Sequence, residues 1–245
     1  MPYTRTGIPL GSIPAGEGCV RDMMDMNNKN TVPEVFIIES LTFDNEKDEM
    51  FEGKLISNIL HLSDKKSIYY YIRTKAELES VLDLFWESNY RYLHLSCHGN
   101  SKSMATTLDS IDFSELSDLL EPVLIDRRLF LSACSMTNDK LAKAVIPSSE
   151  CYSVIGPAKD INFNDAAILW ATFYHLMFRD GLNAMKRSKI LENAKNVSTM
   201  FNVPLNYYSK SRSEKSGYRH TKITPKMNNT RTTGSTRTPQ TARVR

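Results

Sequence analysis

From Glu34 onward, short runs of apolar residues alternate with stretches in which apolar positions recur every three to four residues. Val35 to Leu41 is β-branched and nearly uninterrupted, the pattern of a strand buried on both faces. The segment from Met50 to Leu62 has apolar residues at 51, 55, 56, 59, 60 and 62, which predicts a helix. A second strand is expected over Ser67–Arg73. Thr74 and Glu77 then form a capping box ahead of a helix carrying Leu78, Val81, Leu82 and Phe85 on one face. Tyr92 to Ser96 is a third strand, and Phe113, Leu116, Leu119, Leu120 and Val123 mark another helix, ending near Pro122. Leu129 to Ala133 is a fourth strand, Leu141 to Ile146 a short helix stopped by Pro147, and Tyr152 to Ile155 a fifth strand. A long helical stretch follows Asn164, breaks at Asp180-Gly181 and resumes from about Leu182 to Phe201. Continuous apolar strands separated by helices imply a mostly parallel sheet covered on both faces.

The ends of the chain lack this periodicity. Residues 1–33 contain Gly7, Pro9, Gly11, Pro14, Gly16, Gly18 and Pro33 and then a polar Asn/Met-rich stretch, the composition of an irregular arm. Residues 210–245 hold ten Lys/Arg against one Glu, a surplus of about nine positive charges in a chain of net charge +3. The remainder is therefore mildly acidic, at about −6. From about residue 221 the tail is rich in Thr, Arg and Asn, with too few apolar groups to offset the entropy of ordering, so 210–245 is expected to be a disordered basic tail. The expected organisation is an arm over 1–33, one domain over 34–209 and the tail.

At 245 residues and 41% hydrophobic, the chain suffices for one sizeable core. No apolar run reaches the length of a membrane span; Ala166 to Phe178, broken by Thr172 and His175, reads as a buried helix. Met1–Gly7 lacks the apolar region of a signal peptide. The cysteines, Cys19, Cys97, Cys134 and Cys151, form no CxxC pair and are too few for a disulfide scaffold, so a reduced, cytoplasmic setting is expected. No His/Cys/Asp set has zinc-ligand spacing and no phosphate-cradling Gly motif appears, so neither metal nor cofactor is expected.

Chemistry concentrates in two segments, Arg91-Tyr-Leu-His-Leu-Ser-Cys-His-Gly-Asn100 and Arg128-Leu-Phe-Leu-Ser-Ala-Cys-Ser135. Each is a strand-like run, the first leading to His98 and Gly99, the second to Cys134. In open α/β sheets, sites form at the carboxyl ends of strands, and neighbouring strands would deliver both side chains to one edge. The 36 residues from His98 to Cys134 leave room for the helix and loop that a parallel crossover requires. An imidazole beside a thiol supplies the thiolate for nucleophilic attack. The N–H groups of Gly99 and Cys134 are candidates for an oxyanion hole.

His94-Leu-Ser-Cys-His-Gly99 followed by Leu129-Phe-Leu-Ser-Ala-Cys134 resembles the paired motifs of CHAT-type peptidases of the caspase-like clan. Val154-Ile-Gly-Pro157 and Asp165 to Tyr174 resemble the segment that follows the nucleophile in that family, so the resemblance covers roughly residues 34–180. It implies a three-layer α/β/α sandwich, endopeptidase activity, His98 as base and Cys134 as nucleophile. Ser132 stands where caspases carry Gln, and Ser135-Met136 replaces their x-Gly, so a preference for Asp is not implied. Bacterial relatives of this kind often serve in antiviral defence or regulated death and act on protein substrates once a partner or signal arrives. By that resemblance, the activator is expected to be a separate sensor protein or a small signal molecule.

Blander roles compete at each position. Cys134 alone would read as a small buried hydrophobe. His94 and Cys97 are expected in the core, Cys97 on the face opposite His98. Asn100 is a candidate to orient His98. Asp160 and Asp165 are candidates for a specificity pocket, against the alternatives of a turn Asp and an acid favoured by a helix dipole. The basic tail invites nucleic acid, but it has almost no aromatic residue to stack bases. A solvated tail, a partner-binding segment or a self-cleavage substrate fits it as well. A non-catalytic module that keeps the fold is the remaining alternative.

Overall fold

A computed structural model describes residues 31–179 and 185–225. Strands β1 (Val32–Glu39), β2 (Ile68–Tyr71), β3 (Tyr90–Ser96), β7 (Arg128–Ser132), β8 (Ser153–Pro157), β9 (Leu205–Lys210) and β10 (Tyr218–Ile223) form one sheet in the order β10-β9-β8-β7-β3-β1-β2. The five strands from β2 to β8 pair in parallel; β9 and β10 are antiparallel to their neighbours. Alternation along the strands divides the core. Phe36, Ile38, Leu93, Leu95, Leu129 and Leu131 face one layer of helices, α3 (Lys75–Ser88), α4 (Phe113–Leu120) and α5 (Asp139–Ser149). Val35, Ile37, Tyr92, Phe130 and Ile155 face the other, α2 (Glu52–Leu62), α6 (Phe163–Phe178) and α7 (Arg187–Phe201). The molecule is thus the three-layer α/β/α sandwich with a mostly parallel sheet that the apolar pattern implies.

The expected capping box is present: Thr74 accepts from the Glu77 N–H while Glu77 accepts from the Thr74 N–H. A second box, Asp112 with Glu115, opens α4. Three details depart from the sequence reading. Pro147 does not stop α5, which continues to Ser149. The hydroxyls of Ser148 and Ser149 bond back to the carbonyls of Ala144 and Val145 within the last turn. Val32 and Pro33 belong to β1 rather than to an arm, and a register shift between Val32 and Val35 accommodates the proline. The sheet also runs past residue 209. Arg219, His220 and Lys222 disguise β10 as tail, but charged side chains suit an edge strand. The arm over 1–30, the break at Asp180-Gly181 and the tail from 226 lie outside the described residues.

Between β3 and α4 the chain makes a small antiparallel sheet, β4 (His98–Gly99), β5 (Ser103–Ala105) and β6 (Ser110–Asp112). A short helix, α1 (Phe43–Lys47), follows β1. Both elements lie at the carboxyl edge of the parallel strands.

Candidate active site

Strand register aligns the two motifs. Ser96 of β3 pairs with Ser132 of β7, and the Cys97 N–H donates to the Ser132 carbonyl at 3.1 Å, which carries the pairing one step further. His98 and Cys134 each lie two residues beyond that pair, so period-2 alternation sends both toward the α6 side of the sheet. The His98 ring centre is 6.4 Å from that of Phe163, the first residue of α6. Cys134 Sγ is 3.7 Å from the carbonyl of Ile161, just ahead of that helix. Both residues are half-buried. No hydrogen bond joins Sγ to the imidazole among the described residues. Cys97 points to the opposite face, in the core beside Leu95 and Ala133.

The partner of His98 comes from a segment the sequence did not single out. Asn45 Oδ1 lies 2.6 Å from His98 Nε2 and also accepts from Thr42 Oγ at 2.8 Å, while Asn45 Nδ2 donates toward Met50 Sδ. An amide oxygen only accepts, so Nε2 carries the proton and Nδ1 is left as the basic nitrogen. Helix α1, which carries Asn45, is pinned by a two-pronged contact from Arg73 to Glu46, at 2.9 and 2.6 Å, and by the Tyr71 hydroxyl. Partial burial holds the His98 pKa below its ordinary 6.5, which favours the neutral base.

Gly99 packs closely against the Met136 side chain, which a larger residue would have to displace. A Cβ there would fall 2.5 Å from Met136 Sδ and 2.6 Å from its Cγ. The Asn100 N–H donates to the Ser103 carbonyl, so Gly99 and Met104 form a non-hydrogen-bonded pair, and the Gly99 N–H points away from β5. The Cys134 N–H has no hydrogen-bond partner among the described residues. The next residue, Ser135, takes a left-handed conformation, φ +52°, uncommon for a residue other than glycine. Asn138 holds this turn by donating to the Ser135 carbonyl at 2.9 Å, and its side-chain oxygen caps α5.

The other candidates separate. Asn100 does not reach His98: its Oδ1 accepts from the N–H groups of Lys102 and Ser103, closing the β4–β5 turn. Asp160 is exposed and accepts from Ser135 Oγ at 2.8 Å, one residue from Cys134. Asp165 sits in the first turn of α6, its nearest polar partner being Asn162 Nδ2 at 3.4 Å.

Directly beneath the two motifs lies a buried carboxyl. Glu52, at the start of α2, accepts from Ser132 Oγ at 2.9 Å and Ser96 Oγ at 3.1 Å through one oxygen. Its other oxygen has no partner among the described residues. Burial raises its pKa to about 8; the Ser132 hydrogen bond opposes this and the Glu39 charge adds to it. Glu39 is also buried and raised by burial, although it accepts from the Gly53 N–H and the Tyr69 hydroxyl. His94, one step deeper on the same face, contacts the Tyr174 hydroxyl at 3.0 Å through Nδ1, and burial depresses its pKa to about 3.

Neither a family model nor a curated protein matches the chain. Among solved structures it is similar to the crystal structure of the Arg-specific cysteine proteinase gingipain R (RGPB), with a TM-score of 0.48 and 12% identity. The match covers 71% of this chain and 43% of that chain, so this chain spans less than half the length of that protein.

Chemically, the edge presents a thiol, a neutral imidazole on the adjacent strand and two N–H groups turned away from secondary-structure partners. Among the described residues no group of three or more His, Cys, Asp or Glu side chains is arranged to hold a metal ion, and no helix is long and apolar enough to cross a membrane. Sequence reasoning missed Asn45 and Glu52. The turn signature Thr42-x-x-Asn45 and the acidic residue opening α2 were the only local signals, and neither names a partner 53 or 44 residues away.

Proposed function

We propose that the protein is a cysteine endopeptidase in which Cys134 is the nucleophile and His98 the base. The observation that supports this most is the arrival of both side chains, two residues past a paired register, at one edge of adjacent parallel strands. In the proposed reaction, Cys134 passes its proton to His98 Nδ1 and the thiolate attacks the scissile carbonyl carbon. The resulting oxyanion is met by the N–H groups of Gly99 and Cys134. His98 returns the proton to the leaving amine, and water then hydrolyses the thioester with His98 again as base. The Sγ–imidazole contact closes when substrate is bound, since such hydrogen bonds are often long in the unliganded state. Asp160, bonded to Ser135 beside the nucleophile, is the better placed of the two acids to receive a basic P1 side chain, with Asp165 in the first turn of α6 as the alternative.

The setting follows from the family resemblance: a cytoplasmic effector of bacterial defence or regulated death, acting on a protein substrate and switched on by a separate sensor protein or signal molecule. The absence of a direct Sγ–imidazole hydrogen bond favours a second reading, a fold retained for interaction alone. Two measurements decide between them. The pH dependence of Cys134 alkylation by iodoacetamide should change on His98→Ala. Mass spectrometry of new protein N-termini in cells should find cleavages with wild type that vanish with Cys134→Ala. Alkylation kinetics that ignore His98, together with identical termini for both chains under an activating trigger, would leave the interaction module.

A further inference from the structure

At the opposite end of the strands from Cys134, a cavity of about 540 Å3 opens on the α7 side of the sheet. Its floor is set by register: Arg128 of β7 pairs with Ser153 of β8, which pairs with Ser209 of β9. Arg187, the first residue of α7, lines it and lies over the Tyr207 ring at 6.0 Å, and Arg212 lines it as well. Arg128 donates to Ser153 Oγ at 2.8 Å and lies over the Tyr152 ring at 5.4 Å. Two carboxylates and four cations line the cavity: Glu150 is paired with Lys210, and against the single remaining acid, Asp126, stand Arg128, Arg187 and Arg212, which make no ion pair among the described residues.

Two further observations call for an anion. Ser209 and Tyr207, 3% and 0% exposed, both line the cavity, and neither hydroxyl has a hydrogen-bond partner among the described residues. Such orphaned buried donors are uncommon and costly. The N-terminus of α7 has no side-chain cap and no acidic residue in its first turn; Lys186, Arg187 and Lys189 stand there instead, the wrong sign for the helix dipole. A bound anion relieves all three conditions at once: unpaired guanidinium groups, unsatisfied hydroxyls and an uncompensated helix terminus.

We propose that this cavity binds a phosphate-bearing small molecule of nucleotide size. Arg128, Arg187 and Arg212 take the phosphates, the Ser209 and Tyr207 hydroxyls donate to phosphate oxygens, and the exposed ring of Tyr152 offers a surface for the organic part. The volume lies within the range of small-molecule sites, and guanidinium forks suit phosphate oxygens. The site is separate from Cys134 and stands whether or not the protein is a peptidase.

Calorimetry on the full chain with ATP, and separately with inorganic pyrophosphate, tests this. ATP is expected to bind and to raise Tm, with the Arg128→Gln/Arg187→Gln variant weakened at least about tenfold. Ser209→Ala, which removes an unsatisfied hydroxyl and so should fold normally, is expected to weaken ATP binding as well. ATP tighter than pyrophosphate supports a nucleotide-sized ligand; equal affinities overturn that part and leave a bare phosphate site. No heat and no Tm shift at ~10 mM of either probe, or binding indifferent to both variants, overturns the site.

Discussion

Replacing Glu52 by Gln tests the electrostatic account of the site floor. Glu52 is 3% exposed and its pKa is raised to about 8 from an ordinary 4.5. Below pH 4.5 the carboxyl is protonated in both folded and unfolded chains and contributes no pH dependence. Between 4.5 and about 8 the unfolded chain releases the proton while the folded chain keeps it, so stability falls as pH rises, by up to about 1.4 kcal/mol per unit. Above 8 the cost is constant, with a ceiling of roughly 5 kcal/mol across the window. Gln has the same shape, keeps an acceptor for Ser96 and Ser132, and does not titrate. It also brings a buried amide donor, which costs a fixed amount at every pH, so the informative quantity is the slope. Urea unfolding of both chains from pH 5 to 9 should give a wild-type stability that declines relative to Glu52→Gln by about 3 kcal/mol between pH 5 and 8. Parallel profiles, differing by less than about 0.5 kcal/mol over that range, would refute the assignment of a neutral buried carboxyl at pH 7.

Other consequences are sharp. Because burial lowers the His98 pKa, its protonated form is disfavoured in the folded protein, so the acid limb of kcat/KM for a cleaved peptide should have its midpoint below 6.5; a midpoint above 7 would contradict a neutral, partly buried base. Asn45→Ala should lower kcat/KM by roughly tenfold or more, and Asn45→Asp should shift the acid limb to higher pH, because a carboxylate beside Nε2 stabilises the imidazolium. An unmoved limb in Asn45→Asp would separate Asn45 from the base. Gly156→Ala should destabilise by about 2–4 kcal/mol in denaturant unfolding, since the new Cβ would meet the Leu131 carbonyl oxygen at 2.6 Å and Thr137 Oγ at 2.2 Å; a loss under about 1 kcal/mol would show that β7 and β8 yield there.

Much of the frame could be read along the chain. Buried parallel strands need apolar residues on both faces, and Val35–Ile38, Leu93–Leu95 and Leu129–Leu131 announce them in order. Period-2 alternation sends Cys97 to the face opposite His98 from numbering alone, whereas the shared face of His98 and Cys134 rests on the Ser96–Ser132 register of the folded sheet. The capping box at Thr74 is local chemistry between residues three apart, so it too is legible.

What escaped reading depends on contacts between distant segments or on context that overrides a local preference. Pro147 reads as a helix stop, yet α5 runs two residues past it to Ser149. The strands β9 and β10 look polar because one is the sheet edge and the other lies beside it. Asn100 and Asn45 are equally plausible partners for His98 by residue type. Folding commits Asn100 to its own turn and brings Asn45 across on a helix pinned by Arg73. Glu52 becomes a buried, neutral carboxyl only because α2 lays it over the paired serines. Local pattern therefore determined the layers and the chemical residues that end the two motif strands. Tertiary packing alone decided which nitrogen of His98 is basic, which groups surround Cys134 and which charges lose their water, because those depend on distances the linear chain does not contain.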